Sequence, residues 1–227
     1  MFLWFDPLYF VFLAPALLLM AWAQYRVKST YAAAQQFPVF QSGERAARDI
    51  LDSAGLHNVR IELAKGRLSD HYDPRQNVLR LSHEVYAGKN AAAVGIAAHE
   101  AGHALQDAKG YAPMGIRNMA VPMAQFGSSF GILFIILGAI LSAKPLIWVG
   151  IIGFAGVAAF QLINLPVEFN ASHRAKVQLA NLGIVGETEM TQVKKMLSAA
   201  ALTYVAATLQ SILILLYYVY RFAGSRD

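Results

Sequence analysis

Four long apolar stretches dominate this chain of 227 residues and limit the folds that it can adopt. They cover residues 1–23, 121–143, 146–165 and 199–222, and each is long enough to cross about 30 Å of hydrocarbon as a helix. Because lipid cannot hydrogen-bond to an exposed backbone, spanning segments of this kind have to be helical. The sequence therefore predicts a mainly α-helical membrane protein with about four transmembrane helices.

The first apolar stretch is followed, not preceded, by positive charge. Arg26 and Lys28 lie after it, and Asp6 is the only charged residue within it. A secretory signal peptide carries its positive charge before its apolar core, although Ala21-Trp22-Ala23 resembles a cleavage site. We therefore expect residues 1–25 to form an uncleaved transmembrane anchor, with the chain after it in the cytoplasm.

Lysine and arginine are distributed unevenly between the loops that four spans would separate. Residues 25–119 carry 12 of them and residues 166–198 carry 4, whereas the opposite side carries only 3. Cytoplasmic loops are enriched in Lys and Arg, so this bias predicts that the long first loop faces the cytoplasm. The same rule accounts for the net charge of +5, which therefore does not indicate nucleic-acid binding.

The loop between the first two spans predicts a small α+β domain. Residues 42–54 have an amphipathic helical pattern, with Ser42 as the expected N-cap and Gly55 as the expected end of the helix. Residues 59–64 and 77–82 alternate apolar and polar side chains, as strands do. We expect these two strands to form a short β-hairpin, whose edge either holds an extended peptide or has a structural role only.

The most specific motif is His99-Glu100-Ala101-Gly102-His103, which has the pattern H-E-x-x-H. Histidines at i and i+4 of a helix lie on one face, at a spacing that lets both bind one zinc ion. The glutamate between them is placed to act as a general base toward a water molecule that the metal activates. We expect the helix to cover residues 90–108, with Asn90 as its N-cap. The chain has no cysteine, so any further ligand has to be His, Asp or Glu.

A catalytic zinc ion needs a third protein ligand, and few residues could provide it. Residues 104–167 contain no His, no Glu and a single Asp, Asp107. Asp107 lies one turn after His103 and is either a ligand or a group that supports the ligands. Glu168 follows two spans that return the chain to the side it left, so we expect it to complete a two-His-plus-Glu set, the alternative being a surface glutamate. We expect Pro166 near the start of the helix that carries Glu168.

These motifs together resemble those of the integral-membrane gluzincins. Residues 97–103, Ala-Ala-His-Glu-Ala-Gly-His, precede a transmembrane hairpin, and residues 165–172, Leu-Pro-Val-Glu-Phe-Asn-Ala-Ser, follow it. The chain is most similar to the small bacterial neutral zinc metallopeptidase family of membrane proteins, which also shares the pattern of residues 70–75. It resembles the heat-shock membrane proteases and the prenyl-protein (CAAX) endoproteases more distantly. The resemblance covers nearly the whole chain and implies a zincin-like domain at the cytoplasmic face of a bacterial cell membrane.

The resemblance also implies a ligand set and an activity. One zinc ion per chain would be bound by His99, His103 and Glu168, with Glu100 as the catalytic carboxylate. We therefore expect a membrane-embedded zinc metalloendopeptidase whose partners are the lipid bilayer and a peptide or protein substrate, including segments of membrane proteins. Two alternatives stay open: a regulatory zinc-binding protein that keeps the fold without turnover, and a zinc hydrolase of a non-peptide amide or ester.

One departure from the wider group concerns the support of the metal ligands. The heat-shock and prenyl-protein proteases carry an aspartate four residues after the ligand glutamate, where this chain has Ser172. The residues that could supply this support instead are Asp107, Asn170 and Ser172. Peptide hydrolysis also needs a donor to the oxyanion. The candidates for that role are His71, Tyr72, His173 and Arg174.

The expected domain organisation follows from these assignments. It consists of an anchor at 1–25, a zincin-like domain at 26–118, a transmembrane hairpin at 119–165, a third-ligand helix with a polar segment at 166–198, and a last transmembrane helix at 199–222. A membrane hairpin therefore separates the two parts of the predicted zinc site in the sequence.

Overall fold

Helices account for most of the secondary structure in the computed structural model of this chain, which describes residues 6–66 and 69–223. In chain order the elements are α1 (Pro7–Gln35), α2 (Gly43–Ser53), β1 (Arg60–Leu63), β2 (His71–Asp73), β3 (Val78–Leu81), α3 (His83–Ala87), α4 (Ala91–Ala108), α5 (Ala112–Phe126), α6 (Ile132–Ile140), α7 (Lys144–Asn181) and α8 (Glu187–Ala223). A π-helical turn, Gly127–Gly131, joins α5 to α6, so these two form one long helix. The predicted mainly α-helical class is confirmed.

Four helices in the described part of the chain are long and apolar enough to cross a membrane. They are Pro7–Gln35, Ala112–Ile140, Lys144–Asn181 and Glu187–Ala223. Each overlaps most of one apolar stretch identified in the sequence, although residues 1–5 of the first stretch lie outside the described residues. The number of candidate spans therefore agrees with the prediction on the grounds of helix length and composition.

The expected position of Pro166 near the start of a helix is wrong. Pro166 lies well inside α7, which continues without a break to Asn181. A proline removes one backbone hydrogen bond, but the residues after it bury a continuous apolar stripe at helical spacing, and this packing outweighs the local loss. The stripe consists of Val167, Ala171, Ala175 and Leu179, all fully buried. Glu168 therefore lies in the second half of a long helix.

The predicted two-stranded hairpin is also wrong, because the sheet has three strands in the order β1-β3-β2. The two strands expected to form the hairpin, β1 and β3, run parallel, and β2 pairs with β3 antiparallel. The connection after β1 is long enough to supply this extra strand. A tight turn then joins β2 to β3, in which Asp73 Oδ1 accepts hydrogen bonds from the backbone N–H groups of Arg75 (2.9 Å) and Gln76 (3.3 Å).

The chain divides into two compact units, each built from separate stretches of sequence. The apolar unit comprises residues 6–23, 115–165 and 203–223 of the described chain. Its glycines let two helices meet without side chains between them: a Cβ on Gly127 would overlap the carbonyl oxygen of Gly153, and one on Gly131 would lie 3.1 Å from that of Gly150. These glycines therefore serve packing within the unit.

The second unit, here called the site unit, comprises Gln24–Met114 and Pro166–Leu202. Its core includes the buried faces of α2, β3 and α4. The predicted caps are confirmed: the Ser42 side chain accepts a hydrogen bond from the Arg45 N–H, and the Asn90 side chain accepts one from the Ala93 N–H. Gly55, after α2, has a positive φ of 74°, which a residue without Cβ adopts without strain. The site unit holds every residue of the candidate metal centre.

Candidate metal centre

Two histidines of α4 and one glutamate of α7 meet inside the site unit. His99, His103 and Glu168 each offer a ligand atom, and these atoms all lie within 4.8 Å of one another. Nε2 of His99 lies 3.3 Å from Oε2 of Glu168, and Nε2 of His103 lies 3.7 Å from the same oxygen. Glu168 is only 5% exposed and His103 only 8%. The structure therefore brings together the three residues predicted as ligands.

Small residues of α4 make this meeting possible. His99 and His103 lie one turn apart on the same face of the helix, with ring centroids 4.8 Å apart. Between them, Gly102 lies against the backbone of α7: a Cβ at this position would be 2.6 Å from the carbonyl oxygen of Ala171. Any larger residue would push the two helices apart. The glycine inside the motif therefore sets how closely Glu168 approaches the histidines.

The second nitrogen of each imidazole also has a partner. Oγ of Ser172 lies 3.1 Å from Nδ1 of His99, and Oε1 of Gln106 lies 2.9 Å from Nδ1 of His103. Ser172 was among the residues expected to support a ligand, whereas Gln106 was missed. Its position one turn after His103, on the same helical face, was the available signal. These contacts aim Nε2 of both rings toward Glu168.

The geometry and chemistry of the three residues fit a zinc ion. Zinc bound at about 2.0–2.1 Å in a tetrahedron separates its ligand atoms by roughly 3.3–3.4 Å, close to the two distances from Glu168 Oε2 to the imidazoles. Two imidazole nitrogens and one carboxylate oxygen form a common set for catalytic zinc. A buried carboxylate also favours a nearby positive charge, because burial of an unpaired charge is costly. His99, His103 and Glu168 could therefore hold a metal ion.

Glu100 lies beside the three residues and is itself half-buried. Burial raises the pKa of its carboxyl group to about 6, a rise that the positive charge of His99 opposes. The negative charges of Glu168 and Asp70 contribute to this rise, and His71 opposes it. A carboxyl group whose pKa lies this close to neutrality is suited to accept and release a proton.

The electrostatics of the site also affect His99. Burial alone would lower the pKa of His99, but its hydrogen bond with Glu168 and the negative charges of Glu100 and Glu168 outweigh burial and raise it. His99 therefore lies in a negatively charged environment. This is the environment that a divalent cation requires.

The structure places Asp107 and Tyr72 outside the three-residue group. The Tyr72 hydroxyl lies 3.0 Å from Oδ2 of Asp107, a contact that joins β2 to the end of α4. The same hydroxyl lies 3.2 Å from Oδ1 of Asn77. Burial and the hydrogen bond with Asp107 raise the pKa of Tyr72. Asp107 therefore has a partner on the sheet.

The remaining candidates for supporting a ligand or for donating to the oxyanion differ in exposure and in hydrogen-bond partners. His71 is exposed, with Nδ1 2.7 Å from the carbonyl oxygen of Ser69, and His173 is exposed on α7. Nε of Arg174 donates a 2.7 Å hydrogen bond to Oδ1 of Asn170, and its guanidinium lies 5.8 Å from the centre of the Tyr111 ring. Arg174 and Asn170 therefore form one network, which reaches His103 through Gln106.

Comparison with known proteins identifies a family that the chain matches. Residues 9–223 match the model of the family described as "Putative neutral zinc metallopeptidase". The chain is also 44% identical over 221 residues to "Putative membrane protease YugP" of Bacillus subtilis (strain 168), and the alignment covers 96% of this chain and 98% of that protein. No solved structure matches the chain.

Proposed function

Since this chain belongs to the neutral zinc metallopeptidase family, we propose that it is a membrane-embedded zinc metalloendopeptidase of the gluzincin type. One observation carries the proposal: Nε2 of both motif histidines lies within 3.7 Å of one buried carboxylate oxygen of Glu168. That constellation matches a two-His-plus-Glu zinc site, in which one position stays open for water.

The residues of the site have distinct roles in this proposal. His99 and His103 would hold the metal through Nε2, and Glu168 would hold it through a carboxylate oxygen. A zinc ion held by these residues would act as a Lewis acid toward the scissile carbonyl group and would make a water molecule more acidic. Glu100 accepts a proton from the attacking water at its carboxylate and passes that proton to the nitrogen of the departing amine. The raised pKa of Glu100 supports this role, because it brings the carboxyl group closer to the neutral pH at which it has to accept and release a proton.

The substrate class and the location belong to the same proposal. The family description supports a peptide substrate, and the four apolar helices support a site close to the bilayer, where segments of membrane proteins are within reach. The excess of Lys and Arg in the loops that form the site unit supports a site at the cytoplasmic face of a bacterial membrane.

The decisive experiment compares Glu100→Gln with wild-type protein, both purified in detergent. We expect Glu100→Gln to keep one zinc ion per chain and to lose cleavage of a labelled unfolded protein such as casein by about 10²–10⁴-fold, because only the proton transfer is removed. Zinc content is measured by elemental analysis on the same samples.

The matched control is Glu187→Gln at the exposed start of α8, which should change neither zinc content nor cleavage. Equal cleavage by Glu100→Gln and wild type would contradict the assigned role of Glu100. Zinc-loaded wild-type protein that cleaves no peptide would instead support the non-catalytic alternative.

A further inference from the structure

Gln106 is a fully buried polar residue in which every side-chain polar atom has a partner. Its Nε2 donates hydrogen bonds to the carbonyl oxygen of Val167, at 2.8 Å, and to Oδ1 of Asn170, at 3.1 Å. Its Oε1 lies 2.9 Å from Nδ1 of His103. A single amide thus connects one motif histidine of α4 to the part of α7 that carries Glu168.

The partners of Gln106 determine which way its amide group points. A backbone carbonyl can only accept a hydrogen bond, so the atom that faces Val167 has to be the NH₂ group. The contact with Asn170 agrees, because Nε–H of Arg174 points at the same oxygen of Asn170 and identifies it as an acceptor. The oxygen of Gln106 therefore faces His103.

An amide oxygen facing Nδ1 of His103 requires a hydrogen on that nitrogen. In a neutral imidazole the other nitrogen, Nε2, then carries the lone pair. Nε2 of His103 is the atom that points toward Glu168. His99 differs, because its Nδ1 contacts the hydroxyl of Ser172, which can either donate or accept.

We propose that Gln106 is a positioning residue that holds His103 in the tautomer with hydrogen on Nδ1 and so presents the Nε2 lone pair to the metal. The inference rests on the proposed zinc site. Asn170 and Arg174 act behind Gln106 by anchoring its amide, so they support the metal ligand indirectly. Partners of this kind fix the orientation of a metal-binding imidazole, and their loss costs about 10–100-fold in metal affinity or activity.

Two substitutions of Gln106 separate this role from simple core packing. Gln106→Glu keeps an acceptor for Nδ1–H of His103 but cannot donate to the carbonyl of Val167. Gln106→Leu fills the same space and removes the acceptor. We expect Gln106→Glu to keep the Nδ1–H tautomer and zinc affinity within about tenfold of wild type, and Gln106→Leu to populate both tautomers and lose about 10–100-fold in affinity.

The tautomer is read directly from ¹⁵N NMR of histidine-labelled, metal-free full-length protein at alkaline pH, with the His103 signals assigned by their loss in His103→Gln. Zinc affinity is measured separately by competition with a chelator, and thermal unfolding of each variant is recorded. Gln178→Leu, further along α7, is the matched control and should leave the tautomer and the affinity unchanged.

Three outcomes would overturn the positioning role of Gln106. If zinc affinity follows thermal stability across the variants instead of the presence of an acceptor at position 106, Gln106 serves packing alone and the proposal is overturned. A single Nδ1–H tautomer in Gln106→Leu, or an Nε2–H tautomer in wild type, overturns it as well. None of these readouts uses peptide cleavage, so failure of the proposed peptidase function would be recognised separately by the casein assay.

Discussion

Glu168 contributes the one negative ligand to the proposed zinc site, and its burial makes that charge difficult to replace. Gln at this position has nearly the same shape, but its neutral amide oxygen is a far weaker ligand for zinc. We expect Glu168→Gln to lose at least about 10–100-fold in zinc affinity. Losses of this size are typical of metal sites in which only a residue that supports a ligand is removed. Elemental analysis after dialysis against a chelator measures this loss.

The control for this substitution is Glu62→Gln on β1, which removes a surface carboxylate that pairs with Arg60 and Arg80. It should leave the zinc content unchanged. Retention of stoichiometric zinc by Glu168→Gln would show that another residue supplies the third ligand.

Gly102 limits the distance between α4 and α7, so Gly102→Ala should disturb the site without altering any ligand. The added Cβ would lie 2.6 Å from the carbonyl oxygen of Ala171, and a backbone atom cannot move aside alone. We expect a loss of about 1–3 kcal/mol in the free energy of unfolding, with weaker zinc binding because Glu168 is displaced. Thermal unfolding and chelator competition measure the two effects.

Gly115→Ala in α5 is the matched control for Gly102→Ala, because nothing lies within 4 Å of a Cβ added there. Ala favours an exposed helix over Gly by about 1 kcal/mol, so this variant should be as stable as wild type or more so. Equal stability of the two alanine variants would contradict the close approach of the helices at Gly102.

At the scale of elements, local signals predicted the helices well and the sheet poorly. The cap residues Ser42 and Asn90 act within one turn of chain, and both helices begin after them as expected. The parallel pairing of β1 with β3 depends on a strand of only three residues, His71–Asp73, whose alternation is too short to recognise in the sequence. Contacts that are distant in sequence decided the strand order.

The candidate site shows the same division between local and distant information. The two histidines and the glutamate of the motif follow from helical spacing, and Glu168 follows from the lack of other His or Glu residues between the motif and position 168. Gln106 was not predicted, because its role depends on the carbonyl of Val167 and on Asn170, which a helix far along the chain supplies. The spacing of Gln106 from His103 indicates a contact with that imidazole, but it does not indicate the two partners on α7.

The end of α2 makes the stability of the site unit sensitive to acid. Hydrogen bonding to His57, at 2.9 Å, and the nearby charge of Arg48 hold the pKa of Asp52 below its ordinary value of 3.8. The ionised form therefore stabilises the folded state above that value, and this contribution is lost as the pH falls through the lower pKa of the folded protein. We expect a small effect, because Asp52 is exposed.

The measurement is thermal unfolding of wild type and Asp52→Asn between acidic and neutral pH. Asp52→Asn should be less stable than wild type near neutrality, and the difference should shrink as the pH falls below 3.8. A difference that stays constant over this range would show that Asp52 acts through its shape or its hydrogen bonds and not through its charge.

For the whole molecule, the main consequence of the structure is that sequence-distant segments build one unit. The site unit combines Gln24–Met114 with Pro166–Leu202, and two candidate spans separate these segments in the chain. An even number of intervening spans returns the chain to the same side of a membrane. The meeting of the two parts in one unit therefore agrees with a topology in which both intervening helices cross the membrane.

The side of the membrane that the site faces is testable because the chain contains no cysteine. Single Ser→Cys substitutions are nearly isosteric, and two exposed serines suit the purpose: Ser53 in the site unit and Ser142 between α6 and α7. The Lys and Arg counts of 12 and 4 against 3 lead us to expect Ser53 in the cytoplasm and Ser142 outside.

In intact bacterial cells a membrane-impermeant maleimide should label Ser142→Cys and spare Ser53→Cys, and both should react once the cells are permeabilised. Cysteine-free wild type is the control, and the reverse labelling pattern would place the metal centre on the outer face.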